Sequence, residues 1–254
     1  MGRTHLENLF PLLFPLKKTH TFMTIEPIAY FRSPFTSKFG IPRQSGIASE
    51  VEGEIVFQKP YNNPEAIRGI EGFSHLWIIW EFSANRRYKE GEGSYHVKSE
   101  DSLTVRPPRL GGNERVGVFA SRSPFRPNSL GLSCVRLKEV RKGVLVVLGA
   151  DLLDGTPIYD VKPYVSYADS HPDAVCGYTE NKEWKTLDVV FSDSLTSRFS
   201  EADVKSIVSV LQQDPRPRYH DNPDRIYAMP FRNNDILFRI EDGKAIVTGV
   251  RSVY

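Results

Sequence analysis

Two stretches of the chain concentrate the residues able to do chemistry. The first runs Arg106-Pro107-Pro108-Arg109-Leu110-Gly111-Gly112 and resumes at Ser121-Arg122-Ser123-Pro124-Phe125-Arg126-Pro127-Asn128-Ser129-Leu130-Gly131-Leu132. Prolines hold backbone angles, and glycines permit tight turns or the close approach of a ligand. Rigid loops bearing four arginines suit a planar or anionic ligand, because guanidinium forms forked hydrogen bonds and stacks on flat rings. The alternative is a set of strand corners whose arginines bond carbonyls. The second stretch, Asp151-Leu152-Leu153-Asp154-Gly155-Thr156-Pro157, places two carboxylates three residues apart beside a glycine turn. Spacing alone reads it as an ordinary turn; a metal loop and a seat for a cationic ligand are the other readings.

Charge supports an anionic partner. Between Arg106 and Lys142 there are nine Lys or Arg against Glu114 and Glu139, whereas the rest of the chain has 24 basic against 29 acidic residues. A basic segment in an otherwise acidic chain is the footprint of an anion-binding surface, although a solvated basic strand pair would give the same count. A length of 254 residues, 40% hydrophobic and 25% charged, is ordinary for a globular protein of one large or two small domains. No apolar run approaches the roughly 20 residues of a membrane span. Cys134 and Cys176 are too few for a disulfide framework or a four-thiolate metal site, so a reducing cytoplasm is expected and no metal is assigned. Residues 1–22 include an apolar run at Leu9–Leu16, but two prolines interrupt it, Lys17-Lys18 follows it, and no small-residue cleavage pattern precedes Met23. The expectation is an upstream extension outside the fold.

The elements that must position these loops are mostly strands. Ile25–Phe31, Gly53–Phe57, His75–Phe82, Arg115–Ala120, Leu132–Val140 and Val144–Gly149 are short β-branched or aromatic runs separated by Pro and Gly. Val135 and Leu137 alternate with Arg136 and Lys138 as on a half-exposed strand, and Val144–Leu148 is apolar throughout, as on a strand buried on both faces. Pro64–Arg68 offers about one helical turn. Many short strands with turn-rich breaks predict a mainly β barrel or sandwich from Met23 to Ser166. After the Tyr164–Pro172 stretch the pattern changes. Ser200-Glu201-Ala202-Asp203 starts an amphipathic helix carrying Val204, Ile207, Val208 and Leu211 to about Gln213. Ile236, Phe238 and Ile240 then share one strand face, and Glu241-Asp242-Gly243-Lys244 turns into Ala245–Val250. Tyr167–Tyr254 therefore reads as a small α+β domain.

The chain has no G-x-G-x-x-G after a strand, no Walker loop, no HExxH and no G-x-S-x-G, which disfavours a doubly wound nucleotide fold. Taken together, its strings resemble the TsaA-like family, whose TrmO-type members are tRNA N6-methyltransferases acting on threonylcarbamoyladenosine beside the anticodon. The resemblance runs through Pro42-Arg43-Gln44-Ser45-Gly46, Gly72-Phe73-Ser74-His75-Leu76-Trp77, the Arg106 and Arg122 loops, and Asp151–Tyr164. It resumes at Gln213-Asp214-Pro215-Arg216-Pro217-Arg218-Tyr219 and Arg225-Ile226-Tyr227-Ala228-Met229, so that it spans nearly all of Ile25–Arg251.

This resemblance implies a β-barrel that binds S-adenosylmethionine outside any Rossmann fold, a small C-terminal domain and a homodimer. By position, cofactor contacts would fall on Arg43, Gln44, Ser45, Ser83, Ala84, Arg122, Leu132, Asp154, Gly155, Thr156 and Pro157. Bacterial relatives often carry His after the Trp-rich strand; here Ser83-Ala84 stands instead, so that contact has no His side chain to use. Arg122 or Arg43 suits the cofactor carboxylate, and Asp154 its ammonium or a ribose hydroxyl. For the tRNA partner the expected residues are Arg126, Asp214, Arg216, Arg218 and Tyr219, the last four in a proline-stiffened loop with two cations and a stacking ring. Pro215 and Pro217 would also simply end the preceding helix. No catalytic base follows from the residues: His75, Lys162 and Tyr164 are the candidates, and His75 also reads as a core histidine opening an apolar strand. Two rival functions stay open, a cofactor-free RNA-binding barrel and a metal-assisted hydrolase built on Asp151, Asp154 and His75. Neither DNA nor a membrane is expected as a partner.

Overall fold

The computed structural model describes residues 24–85, 103–107, 114–180, 186–216 and 222–253. The extension at 1–22, Arg109, Gly111-Gly112 and the expected tRNA contacts Arg218 and Tyr219 lie outside the described residues.

The first part of the chain supplies β1 (Ala29–Arg32), β2 (Glu52–Phe57), β3 (His75–Glu81), β4 (Thr104–Val105), β5 (Val116–Gly117), β6 (Leu130–Arg141), β7 (Val144–Leu148) and β8 (Pro157–Pro163). Six of these hydrogen-bond in a closed ring, β1-β2-β7-β6-β3-β8, with β1 returning to β8 through Ala29 opposite Ile158. Closure leaves no exposed edge, which removes the usual template for strand-to-strand aggregation. The pair β4–β5 stands apart. The stretch expected as one strand at Arg115–Ala120 is thus a two-residue strand followed by a 3-10 turn at Val118–Ala120. The Pro64–Arg68 turn is also 3-10, over Pro64–Ile67 with Asn63 as its cap.

Two-residue alternation decides which side chains face inward. On β3, Leu76, Ile78 and Trp80 are buried while Trp77 and Ile79 are half-buried on the outer face. On β6, Gly131, Ser133 and Val135 point in and Leu130, Leu132 and Cys134 point out. Of these inward residues, Leu76, Ile78, Trp80 and Val135 join Phe31, Ile55, Leu145, Val147 and Ile158 in one core. The β6–β7 connection is a two-residue hairpin turn, Lys142-Gly143, with φ of 50° and 79°. Both angles are positive, which matches the right-handed twist of the flanking strands.

The rest of the chain holds α1 (Ser166–Asp169), β9 (Asp188–Val190), α2 (Asp193–Thr196), α3 (Glu201–Leu211), β10 (Tyr227–Phe231), β11 (Asn234–Glu241) and β12 (Lys244–Ser252). Helix α3 starts where the Ser200 hydroxyl accepts the Asp203 amide at 3.1 Å, and it buries Ile207, Val210 and Leu211. These pack on a four-stranded sheet, β10-β11-β12-β9, whose inner face carries Ile236, Phe238 and Ile240. Strands β9 and β10 were not expected from the sequence. Each is short, and β9 pairs parallel to β12, so its partner is remote along the chain.

The second core is not built from the C-terminal segment alone. Phe35, Ala48 and Val51, from the connection between β1 and β2, are buried in it, and the Phe35 ring meets Phe231 edge-on at 6.1 Å. The Ser206 hydroxyl of α3 donates to the Glu50 carbonyl at 2.9 Å. A loop of the ring is therefore clamped by the second core, and the same loop supplies Lys38, Arg43 and Gln44 to a cleft.

Inside the ring, a Cβ added to Gly131 would overlap the Trp80 indole. Gly131→Ala should therefore cost about 1–3 kcal/mol through overpacking, measured by urea denaturation. Gly117→Ala, where nothing lies within 4 Å, should leave the midpoint nearly unchanged.

Candidate active site

A cleft of about 670 Å³ opens on the outer face of β3 and β6, within the range of roughly 300–1,000 Å³ usual for small-ligand sites. Trp77 and Glu81 of β3 and Leu130 and Leu132 of β6 form its floor. Lys38, Arg43 and Gln44 from the β1–β2 connection form one wall, and Phe119, Arg122 and Arg126 from the segment before β6 form the other. Ser83 and Ala84, in a 3-10 turn at the end of β3, complete the rim. The lining combines aromatic surface with four cations, Lys38, Arg43, Arg122 and Arg126, and two carboxylates, Glu81 and Asp151.

Asp151 organises the mouth of the ring. Its Oδ1 accepts the Ser133 hydroxyl at 2.5 Å, and Ser133 Oγ in turn accepts the Trp80 indole N–H at 2.9 Å. The Ser45 backbone and the Arg122 guanidinium also favour the ionised form of Asp151. Burial pushes its pKa above the ordinary carboxylate range, and the Ser133 hydrogen bond, the backbone amides and Arg122 oppose that shift. The hydrogen-bonded wall reaches Ser45 because Gly46 donates to the Gly149 carbonyl at 2.8 Å while Gly149 donates to the Val51 carbonyl at 2.9 Å. Gly149 has φ of 76°, and a Cβ there would lie 3.3 Å from Gly46 Cα, so glycine is required for the loop to approach.

From Asp151 the polar contacts run outward. Arg122 Nη1 donates to Gln44 Oε1 at 2.7 Å. Next to Gln44, Arg43 Nη2 donates to the Arg216 carbonyl at 3.5 Å, and the Arg216 Nε lies 3.0 and 3.1 Å from the two Asp214 oxygens. The expected tRNA loop thus touches the expected cofactor loop.

Of the other expected cofactor residues, Thr156 lines the cleft and is buried, and Leu132 lies on the floor with 59% of its surface exposed. Asp154 and Gly155 serve the backbone: Asp154 Oδ1 accepts the Ser33 amide at 2.9 Å and the Gly155 amide donates to the Phe31 carbonyl at 2.8 Å, tying this turn to the end of β1. Pro157 is buried at the start of β8. Arg126 lines the cleft while its Nη1 donates to the Ser121 carbonyl at 3.1 Å, bracing its own loop.

The three candidate bases are not brought into this cleft. His75 opens β3 and Glu81 ends it, so they are about 20 Å apart at roughly 3.3 Å per residue. His75 Nδ1 is 2.9 Å from Ser74 Oγ, and its ring meets Tyr164 edge-on at 6.1 Å. Lys162 Nζ pairs with Asp160 at 2.7 Å. Among the described residues, no three His, Cys, Asp or Glu side chains converge as a metal site would require.

Sequence reasoning missed Glu81, Lys38, Trp77 and Phe119 as cleft residues, and it weighed Asp151 as part of a turn, as a seat for a cation and in the metal-assisted alternative, but not as a cofactor-cleft residue. One signal was present: Glu81 is a lone carboxylate within Ile78-Ile79-Trp80-Glu81-Phe82, where an apolar strand must bury it.

The raised pKa of Asp151 has a definite consequence for stability. Above about pH 4 the unfolded chain releases this proton while the folded chain still holds it, so stability falls as pH rises toward the folded value. Asp151→Asn should flatten that part of the pH–Tm curve, measured by thermal melts from about pH 4 to 7, while loosening Ser45 and Arg122.

Residues 30–170 match the family model of the tRNA-methyltransferase O N-terminal domain, and residues 185–253 match that of the TrmO C-terminal domain. The chain is 40% identical over 229 residues to tRNA (adenine(37)-N6)-methyltransferase of Escherichia coli, covering 85% of this chain and 93% of that protein. It is 38% identical over 222 residues to a putative S-adenosylmethionine-dependent methyltransferase, RcsF, of Pseudomonas aeruginosa, covering 84% and 90%. The crystal structure of TrmO from Pseudomonas aeruginosa superposes with a TM-score of 0.70 at 30% identity, over 91% of this chain and 99% of that one. By sequence along most of its length and by fold, the chain belongs to the tRNA-methyltransferase O family.

Proposed function

We propose that this protein transfers a methyl group from S-adenosylmethionine to N6 of an adenine in tRNA, and that the acceptor is N6-threonylcarbamoyladenosine beside the anticodon. The observation that carries the reading is Arg122, held between Gln44 and Asp151 in a cleft of small-ligand size. The family membership and the names of the relatives support it.

The residues present fit the methyl donor, which supplies an electrophilic methyl group on a sulfonium sulfur. Arg122 and Arg43 suit its α-carboxylate through charge-assisted hydrogen bonds, Trp77 and Phe119 offer flat apolar surface to the adenine, and Thr156 is a small neighbour. Rigid placement is this protein's main contribution, since alignment of reacting groups alone supplies about 7–11 kcal/mol in favourable cases. The segment 23–166 is read as the cofactor-binding barrel and 167–254 as the small domain that meets RNA. Within the latter, Arg216 and Asp214 stand next to the Arg43 wall, where a nucleotide entering the cleft would pass. A homodimer is supported by exposed apolar surface: Leu132 at 59% and Phe119 at 76% line the cleft, and Phe125, one residue from Pro124 and Arg126 of the lining, is 52% exposed. The working compartment is read as the cytoplasm.

Calorimetric titration with S-adenosylmethionine in the presence of chelator tests the cofactor site, and methyl transfer to threonylcarbamoylated tRNA tests the reaction. Saturable binding and transfer are expected; folded protein that binds no cofactor with or without tRNA overturns the reading in favour of a plain RNA-binding module. Arg122→Ala should weaken cofactor binding roughly 10- to 100-fold, the worth of a hydrogen bond to a charged group. Arg216→Ala should leave that affinity nearly intact and lower kcat/KM for tRNA. Leu132→Glu should shift the protein from dimer to monomer in light scattering; an unchanged dimer would place the interface elsewhere.

A further inference from the structure

The acceptor nitrogen of the proposed reaction lies between a purine and a carbamoyl group, so its lone pair is delocalised and its proton must leave as the methyl group arrives. Whatever takes that proton has to open onto the cleft. No His, Cys or Tyr does so among the described lining residues, and Lys38, Arg43, Arg122 and Arg126 enter as cations. Of the two carboxylates, Asp151 is committed inward, accepting the Ser133 hydroxyl at 2.5 Å.

Glu81 is placed differently. It is the last residue of β3, with only 5% of its surface exposed, and it lines the cleft on the same outward alternation as Trp77. Its Oε2 accepts the Tyr159 hydroxyl from β8. A buried carboxylate held by a donor from the neighbouring strand, and opening onto a cavity that is otherwise rich in cations, has the geometry of a positioned base.

We propose that Glu81 is the general base of the methyl transfer and that Tyr159 is its positioning residue; this rests on the methyltransferase reading above. In the step, the N6–H bond breaks and its proton passes to a Glu81 carboxylate oxygen. The nitrogen electron pair forms the new N–C bond to the methyl group, and the S–C pair stays on sulfur. Charge balances, because one cationic centre and one carboxylate become a neutral thioether and a neutral carboxylic acid. Among the described residues, Tyr159 on β8 hydrogen-bonds Glu81, and the other charged groups lining the same cleft are Lys38 and Arg43 from the β1–β2 connection, Arg122 and Arg126 from the segment before β6, and Asp151 after β7.

The test compares wild type, Glu81→Gln and Tyr159→Phe on threonylcarbamoylated tRNA across pH, with cofactor affinity measured separately by calorimetry. Glu81→Gln should lower kcat about 100-fold or more, the usual worth of a positioned base, and abolish the acidic limb of the kcat profile. Its affinity for S-adenosylmethionine should stay within about threefold of wild type, as expected of a group that acts on the acceptor and not the donor. Tyr159→Phe should move that limb to higher pH, because the lost hydroxyl hydrogen-bonds the ionised carboxylate. Added formate should restore part of the activity of Glu81→Ala. Wild-type kcat with the limb intact in Glu81→Gln overturns the proposal, as does a parallel loss of cofactor affinity that accounts for the whole defect. Should Glu81→Gln fail to fold, an unmoved limb in Tyr159→Phe overturns it. Wild-type protein that binds cofactor but never methylates the modified tRNA overturns the methyltransferase reading itself, whereas active wild type with an unaffected Glu81→Gln overturns only the role of Glu81.

Discussion

The carboxylate of Asp151 is the constraint on which the cleft depends. Taking a carboxylate out of water costs several kcal/mol unless its oxygens are hydrogen-bonded and a counter-charge stands near. Here the compensation comes from separate parts of the chain: Ser133 on β6, the Ser45 amide in the β1–β2 connection, and Arg122 in the segment before β6. Moving any of these away would leave the charge less well satisfied. The electrostatic demand of one buried group thereby holds both walls of the cleft against the floor, and Ser133 passes the same demand to the Trp80 indole in the ring core.

The second core adds a mechanical constraint to this electrostatic one. Phe35, Ala48 and Val51 leave the ring and lie buried beneath α3 and the four-stranded sheet. Removing a buried Phe typically costs about 3–5 kcal/mol, so this packing is strong on the scale of a whole domain's stability. Arg43 and Gln44 sit inside the clamped loop, and their wall is accordingly stiffer than an ordinary surface loop. The contact from Arg43 to the Arg216 carbonyl sits on the same scaffold. A C-terminal unit packed in this way shapes the cleft wall that carries Arg43 and Gln44.

The basic segment between Arg106 and Lys142 divides when folded. Lys138 pairs with Glu52 at 2.5 Å and Arg141 with Glu54 at 2.7 Å across β7, so these charges are local surface pairs worth at most about 1 kcal/mol each. Arg122 and Arg126 turn into the cleft instead. The charge count drew attention to this segment, but it did not separate cations that line the cleft from cations that neutralise the strand opposite.

Local rules carried much of the architecture. Alternation along β6, the apolar runs of β3 and β7, the Ser200 cap and the Asp242-Gly243 hairpin are each set by neighbours within a few residues, so they were legible from the sequence. The string of expected cofactor residues came from family resemblance, and of these Arg43, Gln44, Ser83, Ala84, Arg122, Leu132 and Thr156 line one cleft. What only the tertiary structure decided was of another kind. Strand β8 was hidden because Pro157 and Asp160 are poor strand formers, and its pairing with both β1 and β3 overrides that preference. The candidate base His75 and the cleft residue Glu81 lie on one strand, yet the ring places the cleft at only one end of it. Glu81 meets Tyr159 and Asp151 meets Ser133, 78 and 18 residues away along the chain, and Ser45 and Arg122 from other segments favour the ionised form of Asp151. Composition and periodicity describe a residue's neighbours along the backbone; a buried charge is satisfied by neighbours in space, and those exist only once the ring has closed.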